Sequence, residues 1–500
     1  MRLSRIALRL EDAARELSAQ IARPELDDRM LFEAMQAQAI RVMTMGVVGF
    51  DAPAKEHALP ESRLSLEALR PVLALYAPAL RRRDAPPGLA TRLDRALAKA
   101  IEALPSKPSA AAFDAFDRLA FIRDAGDPLY AALIDAQRAL GIATFDDLAP
   151  LRRPVSTTAR GLFARDFLDP HYYAFTSGER ADSTTAALGR ALFFDPQLSV
   201  DEKRSCASCH DPRRAFTDGL PKSAALGGGS LPRNAPSLPY AAYQSAQFWD
   251  MREQTLEMQA LHVIAGAGEF HNDFLMVLRR LESDSSDSAH PDYPRRFRAV
   301  FDEENPVQIK TVTKALAVYV RSLGTWNSPF DRYARGEAPF LDPAARRGFN
   351  LFMGKAACGT CHFAPAFNGT APPQYVETES EVIGAPDRFP DDTLRLDGDL
   401  GRGTLRYNPI YQRAFKTPTV RNAAVTAPYM HNGGMATLEA VMDFYNAGGG
   451  KGLGLDVPHQ TLPADSLGLT QRERDDVIAF LKSLTDTAYA TPSSGTQTGY

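Results

Sequence analysis

All four cysteines of this chain fall in two copies of one pattern, Cys206-Ala207-Ser208-Cys209-His210 and Cys358-Gly359-Thr360-Cys361-His362. Two thiols three positions apart can each add to a vinyl group of the same porphyrin, and the histidine that follows presents its imidazole to the iron. The spacing predicts two covalently bound c-type haems, with His210 and His362 as the proximal ligands. A four-cysteine zinc site or a thioredoxin-like redox pair is the alternative. Neither explains a His directly after each second Cys, and no strand-helix-strand pattern surrounds either pair.

The 500 residues, 44% of them hydrophobic, suffice for about three packed domains. A formal charge of −4 with interspersed signs and no long basic run argues against a nucleic-acid partner. No apolar stretch approaches the roughly 20 residues of a membrane span. The opening MRLSRIALRLEDAARE also lacks the apolar segment of about 7 to 15 residues found in signal peptides. A periplasmic location is therefore expected from the haem chemistry and not from the N-terminus.

The hydrophobic pattern is helical throughout. Leu10, Ala14, Leu17 and Ile21 share one face, as do Phe32, Met35, Ala39 and Val42. Residues 1–155 are expected to form an accessory helical domain without a ligand cluster, its one histidine, His57, lying solvated in a loop. After a boundary near Arg152-Arg153-Pro154, Gly189-x-x-Leu192-Phe193 precedes the first haem motif and Gly348-x-x-Leu351-Phe352 precedes the second, which suggests a duplicated module. Asp342 is placed to cap the second of these helices with Pro343 at its first position, and Phe349, Phe352 and Met353 share a face that could pack on a porphyrin. Thr470 and Glu473 form a capping box ahead of Val477, Phe480, Leu481 and Leu484. The Pro- and Gly-punctuated stretch 364–420, with Asp391, Asp392, Asp397 and Asp399, reads as a surface loop region. The fold expected is all-α: two cytochrome c-like haem modules, 156–335 and 336–490, packed together, preceded by the accessory domain and followed by a tail, 491–500.

An electron carrier and an enzyme differ in the sixth coordination position of each iron. From Asp211 to Gln247 the chain contains neither His nor Met, so this loop offers the first haem no strong sixth ligand, which makes that haem a candidate for binding peroxide. Over roughly residues 180–490 the chain resembles the bacterial di-haem cytochrome c peroxidases and their MauG-type relatives. Phe248-Trp249-Asp250-Met251-Arg252 is similar to that family's Trp-Asp-Gly-Arg motif, with Met251 in place of Gly. The resemblance implies that Trp249 lies between the haems and relays electrons. Gln259 and Glu269, ten and twenty residues after Trp249, match the family's distal-pocket Gln and catalytic Glu. Peroxide O–O heterolysis needs a proton taken from one oxygen and delivered to the departing one, and a partly buried carboxyl of raised pKa does both. The chain departs from MauG-type relatives at Val263, where they carry Pro, and His262 and His271 flank the same pocket as rival ligands.

Pro428-Tyr429-Met430-His431-Asn432-Gly433 also resembles the family, whose second haem takes its distal ligand fourteen residues after that His, here Tyr445. The peroxidases proper have Met at this position and MauG-type enzymes have Tyr, a tyrosinate favouring ferric and higher oxidation states. Met430, Met435 and Met442 are local competitors. The resemblance further implies a calcium ion between the modules, with Asn234, Thr426 and Pro428 as ligands and waters completing the shell. MauG's surface Trp before its second haem motif is replaced by Ala356, and the other tryptophan, Trp326, has no evident place on a surface. These features imply a periplasmic di-haem oxidoreductase that reduces hydrogen peroxide at the first haem. Its electrons would come through the second haem from a small redox protein or from a protein substrate. The alternative is a non-catalytic di-haem electron-transfer cytochrome with both irons six-coordinate.

Overall fold

The computed structural model describes residues 27–490 except 53, 83–85, 148–152, 176–181, 284–290 and 406–407. The expected helical face of Leu10 to Ile21, residues 151 and 152 of the expected boundary, and the tail 491–500 lie outside the described residues. Helices of eight or more residues are α1 Asp28–Arg41, α2 Lys55–Glu67, α3 Leu69–Leu80, α4 Leu89–Glu102, α5 Asp127–Ala139, α6 Ser183–Phe194, α7 Leu256–Ala265, α8 Phe274–Glu282, α9 Tyr293–Val300, α10 Ile309–Arg321, α11 Pro343–Phe352, α12 Leu438–Asn446 and α13 Gln471–Ser483. One two-stranded antiparallel sheet joins β1 Ser380–Glu381 to β2 Phe415–Lys416, with Ser380 opposite Lys416. Among the described residues no helix is long and apolar enough to cross a membrane.

One construction occurs twice. α6 packs along α10, and α11 packs along α13. Each pair crosses at a glycine: a Cβ on Gly189 would run into the Ala315 carbonyl of α10, and one on Gly348 into the Asp476 carbonyl of α13. Only a residue without a side chain permits that approach of backbones. The caps follow the sequence. Asp342 Oδ1 accepts from Ala344 N at 2.7 Å with Pro343 at the first position, and Thr470 and Glu473 close the capping box of α13. Leu192 and Phe193 on α6, and Val477, Phe480, Leu481 and Leu484 on and after α13, are all buried.

Two large cores result. The first gathers Leu192, Phe193, Phe216, Val277, Phe297 and Leu316 around the first haem motif. The second unites the N-terminal helices with the second motif's surroundings: Phe32, Met35 and Leu133 share a core with Phe330, Phe349, Phe367 and Phe480. The face of α1 is buried as expected, Phe32, Met35 and Ala39 within α1 and Val42 in the wider turn that continues it. This N-terminal layer reaches the second motif itself. Val48 lies against Gly359, the Phe50 ring meets Phe363 edge-on at 5.5 Å, and the wholly buried Arg118 donates to Val47 O and Phe113 O beside Gly354.

Three expectations are corrected. His57 is exposed but sits in the first turn of α2, not in a loop; the Pro at position 60 lies inside that helix, and the Glu56 carbonyl that it leaves without a helical donor accepts from Ser109 N at 3.3 Å. Only the middle of the stretch 364–420, about 387–413, lies mostly at the surface; its two ends are largely buried. Asn368, Thr370, Tyr375, Val382, Asp397 and Lys416 are buried, while Asp391 and Asp392 are exposed. Side-chain hydrogen bonds make this irregular backbone compatible with burial, as where Asn368 and Thr370 donate to Tyr243 O. Of the face expected to pack on a porphyrin, Phe352 lies with its ring 6.3 Å from that of His362, whereas Phe349 packs among Phe163, Phe330 and Phe480 and Met353 lies against Gly359.

Replacing Gly348 by Ala is expected to cost about 1–3 kcal/mol in denaturant unfolding, since the added methyl meets a fixed carbonyl. Gly398→Ala, where a Cβ meets nothing within 4 Å, should stay within about 0.5 kcal/mol. Equal stability of the two variants would contradict the crossing geometry.

Candidate functional site

Both haem motifs open onto one cavity of about 860 Å³, near the top of the ~300–1,000 Å³ range of ligand pockets. Cys206, Cys209 and His210 line it on one side, and Cys358, Cys361 and His362 on the other. The four thiols are free, and among the described residues no group of three or more His, Cys, Asp and Glu is arranged to hold a metal ion, so the cysteine pairs do not converge on a shared zinc. Burial pushes the Cys206 and Cys358 thiols up to about 12. Each imidazole is oriented by a backbone carbonyl: His210 Nδ1 donates to Phe216 O, and His362 Nδ1 to Pro418 O, both at 3.0 Å. Those bonds fix the tautomer that leaves Nε2 with its lone pair for iron. Burial also lowers both histidines, His362 to about 4, which keeps the ring neutral and able to ligate. The donor set fits two c-type haems.

Trp249, Gln259 and Glu269 border the same cavity. α7 carries Gln259, and Thr255 caps that helix through Met258 N. Trp249 is fixed on both sides. Its Nε1 donates to Asn234 O at 3.0 Å, and its carbonyl accepts from Lys416 N at 2.7 Å. Glu269 is half-buried, and desolvation raises its carboxyl pKa against the opposing pull of Arg252, His262 and Arg204. The rival ligands His262 and His271 are exposed and do not border the cavity. His262 Nδ1 is 3.1 Å from Glu253 Oε1, with its ring against Phe248. Met251, where the family motif carries Gly, has a φ of 60°, a left-handed conformation that glycine adopts without strain.

On the second side, Tyr445 at the end of α12 faces the cavity, and its phenol is raised by burial and then by the thiols Cys358 and Cys361. Met442 and Met430 also border the cavity, whereas Met435 is buried elsewhere. Asn234, Thr426 and Pro428 each line the cavity, and Asn234 N donates to His431 O at 2.7 Å. Asn234 Nδ2 donates to Leu220 O at 2.8 Å, which leaves its amide oxygen as an acceptor. Ala356 is buried and lines the cavity. Trp326 is buried too, donating Nε1 to Tyr243 OH at 2.9 Å and stacking 4.4 Å from the Arg421 guanidinium.

Sequence reasoning missed the wall formed by residues 415–431. Phe415 stacks on the His431 imidazole at 3.6 Å, His431 Nε2 is 3.1 Å from Asp397 Oδ1, and Pro418 supplies the carbonyl that orients His362. Arg421 reaches the cavity from a wholly buried ion pair with Asp331, its two amino nitrogens each 2.9 Å from a carboxylate oxygen. A lone Arg followed by Asn and Ala carries no sequence signal of such a pair.

A family model described as di-haem cytochrome c peroxidase matches residues 183–339. The methylamine utilization protein MauG of Methylorubrum extorquens is 37% identical over 300 residues, 60% of this chain and 77% of that one. The cytochrome c551 peroxidase of Pseudomonas aeruginosa is 31% identical over 309 residues, 61% of this chain and 80% of that one. The crystal structure of a MauG-like protein associated with microbial copper homeostasis superposes with a TM-score of 0.51 at 31% identity, covering 62% of this chain and 92% of that one. The chain belongs to the di-haem cytochrome c peroxidase and MauG family, whose members are peroxidases or related oxidoreductases, and membership implies two haems.

Burial alone would raise the Asp331 carboxyl, but the Arg421 charge and hydrogen bonds from Arg421 and Ser328 outweigh it and hold the pKa below the ordinary value. Asp331→Asn should therefore destabilise the chain by about 3–5 kcal/mol, because it leaves the buried Arg421 charge uncompensated. The pair's contribution is complete above the unfolded aspartate pKa of about 3.9 and is lost as pH falls below it. Urea melts from pH 7 to pH 3 should accordingly show a difference between the two proteins that shrinks on acidification. A constant difference would contradict the assignment.

Proposed function

We propose that the chain is a periplasmic di-haem enzyme that reduces hydrogen peroxide at the haem held by Cys206, Cys209 and His210. The observation that carries the reading is one cavity shared by both haem motifs, in which Trp249 lines the wall and Glu269 and Gln259 are the titratable and amide groups near the first. When bound, the haems supply the redox equivalents for peroxide reduction. The half-buried Glu269 takes a proton from one peroxide oxygen and returns it to the other as the O–O bond breaks, while the Gln259 amide orients the peroxide. Its raised pKa suits both halves of that transfer. The balance is one peroxide, two protons and two electrons giving two waters. The electrons come from a small redox protein or from a protein substrate.

His362 and Tyr445 hold the second haem. Tyr445 is supported by its place at the end of α12, where it borders the cavity that the second motif also lines. Trp249, pinned between Asn234 and Lys416, couples the two sites. Asn234, Thr426 and Pro428 are the proposed calcium ligands, on the strength of the family resemblance, their places in the cavity lining and the Asn234 amide oxygen left as an acceptor. The division is into two cytochrome c-like modules, 156–335 and 336–490, with 1–155 as the accessory domain; the repeated glycine crossing supports the duplication. The periplasmic location follows from haem attachment through thioethers.

Stopped-flow reaction with peroxide tests the proton-transfer assignment. Glu269→Gln is expected to slow the reaction by about 10²–10⁴-fold at unchanged haem content. A rate equal to that of the parent would defeat the assignment.

A further inference from the structure

Five cations border the haem cavity: Arg204, Arg233, Arg252, Lys416 and Arg421. Three are already neutralised by carboxylates. Arg233 pairs with Asp250 and Asp399 at 2.6 Å, Arg252 with Asp250 at 2.8 Å, and Arg421 with Asp331 at 2.9 Å. Arg204 is half-exposed and donates to Ala224 O at 3.2 Å. Lys416 differs from all of these. It is only 8% exposed, its ammonium makes no ion pair or hydrogen bond among the described residues, and its backbone N–H donates to Trp249 O at 2.7 Å. Asp250 is the carboxylate whose charge it feels, but Asp250 is already held by two arginines. The next residue, Thr417, also lines the cavity, and its buried hydroxyl has no hydrogen-bond partner.

An isolated buried ammonium is costly, and proteins retain one where a counter-charge arrives. Each haem carries two propionate carboxylates, the anions this cavity must accept. We propose that Lys416 is a positioning residue: its ammonium binds a haem propionate beside Trp249 and so fixes that haem's edge against the wall between the two haem sites. Burial pulls the free amine down to about 7, whereas a carboxylate partner holds it protonated. A cation beside a haem disfavours the more positive ferric state, so Lys416 raises that haem's reduction potential.

The inference rests on the two-haem reading, and haem content per chain, measured first by pyridine haemochrome, tests that reading separately: fewer than two haems in the wild-type holoprotein would defeat it. Spectroelectrochemical titration of the wild-type, Lys416→Met and Lys416→Arg holoproteins tests Lys416 itself. At full haem content, Lys416→Met is expected to shift one of the two midpoint potentials downward, and Lys416→Arg to restore it toward wild type. If Lys416→Met instead loses one haem while Lys416→Arg keeps both, the pairing is equally supported. Both midpoints unchanged in Lys416→Met, or loss of haem in Lys416→Arg as well, would overturn the proposal.

Discussion

The buried ion pair between Arg421 and Asp331 anchors the segment on which the candidate site depends. Neither side chain has any solvent exposure, and Arg421 also donates to Pro365 O and lies over the rings of Tyr240, Trp326 and Phe367. One guanidinium thus ties together parts of the chain from both sides of the cavity. The wall from 415 to 431 hangs from it. That wall provides the carbonyl that orients His362, the backbone donor that fixes Trp249, and the His431 ring stacked on Phe415. A buried pair of this kind adds little net stability over an apolar substitute but is expensive to break, so it acts here mainly as a fixed point for irregular backbone.

That irregular backbone separates the parts of the structure legible in the sequence from those that were not. The haem motifs, the caps at Asp342 and Thr470, and the buried faces of α1 and α13 all follow from local spacing, and local spacing is what helices express. Gly189 and Gly348 were visible as a repeated Gly-x-x-Leu-Phe, but their reason, the Ala315 and Asp476 carbonyls, lies more than a hundred residues away. The two ends of the stretch 364–420 were misread because Pro and Gly report irregular backbone, not exposure. Their burial is made possible by partners such as Tyr243 O, far off in sequence. The carbonyls of Phe216 and Pro418 could not have been found at all, since every residue carries one.

The N-terminal helices gain a physical place as well. They were legible as helices without a role, and they share their core with the elements around Cys358–His362, with Val48 against Gly359 and Phe50 against Phe363. The attachment loop of the second motif is therefore covered from that direction. Among the described residues the first motif packs in a core of its own, separate from the one that holds those helices. The two ends of the cavity are built alike from crossed helices yet differ in what surrounds them.

The same inequality holds inside the cavity: Glu269 and Gln259 line it with His262 and His271 turned outward, while Tyr445 borders it from the end of α12. The account therefore requires two irons of unequal coordination. Low-temperature electron paramagnetic resonance of the fully ferric holoprotein measures this directly. It should show one high-spin and one low-spin haem per chain; two low-spin signals with no high-spin component would contradict it.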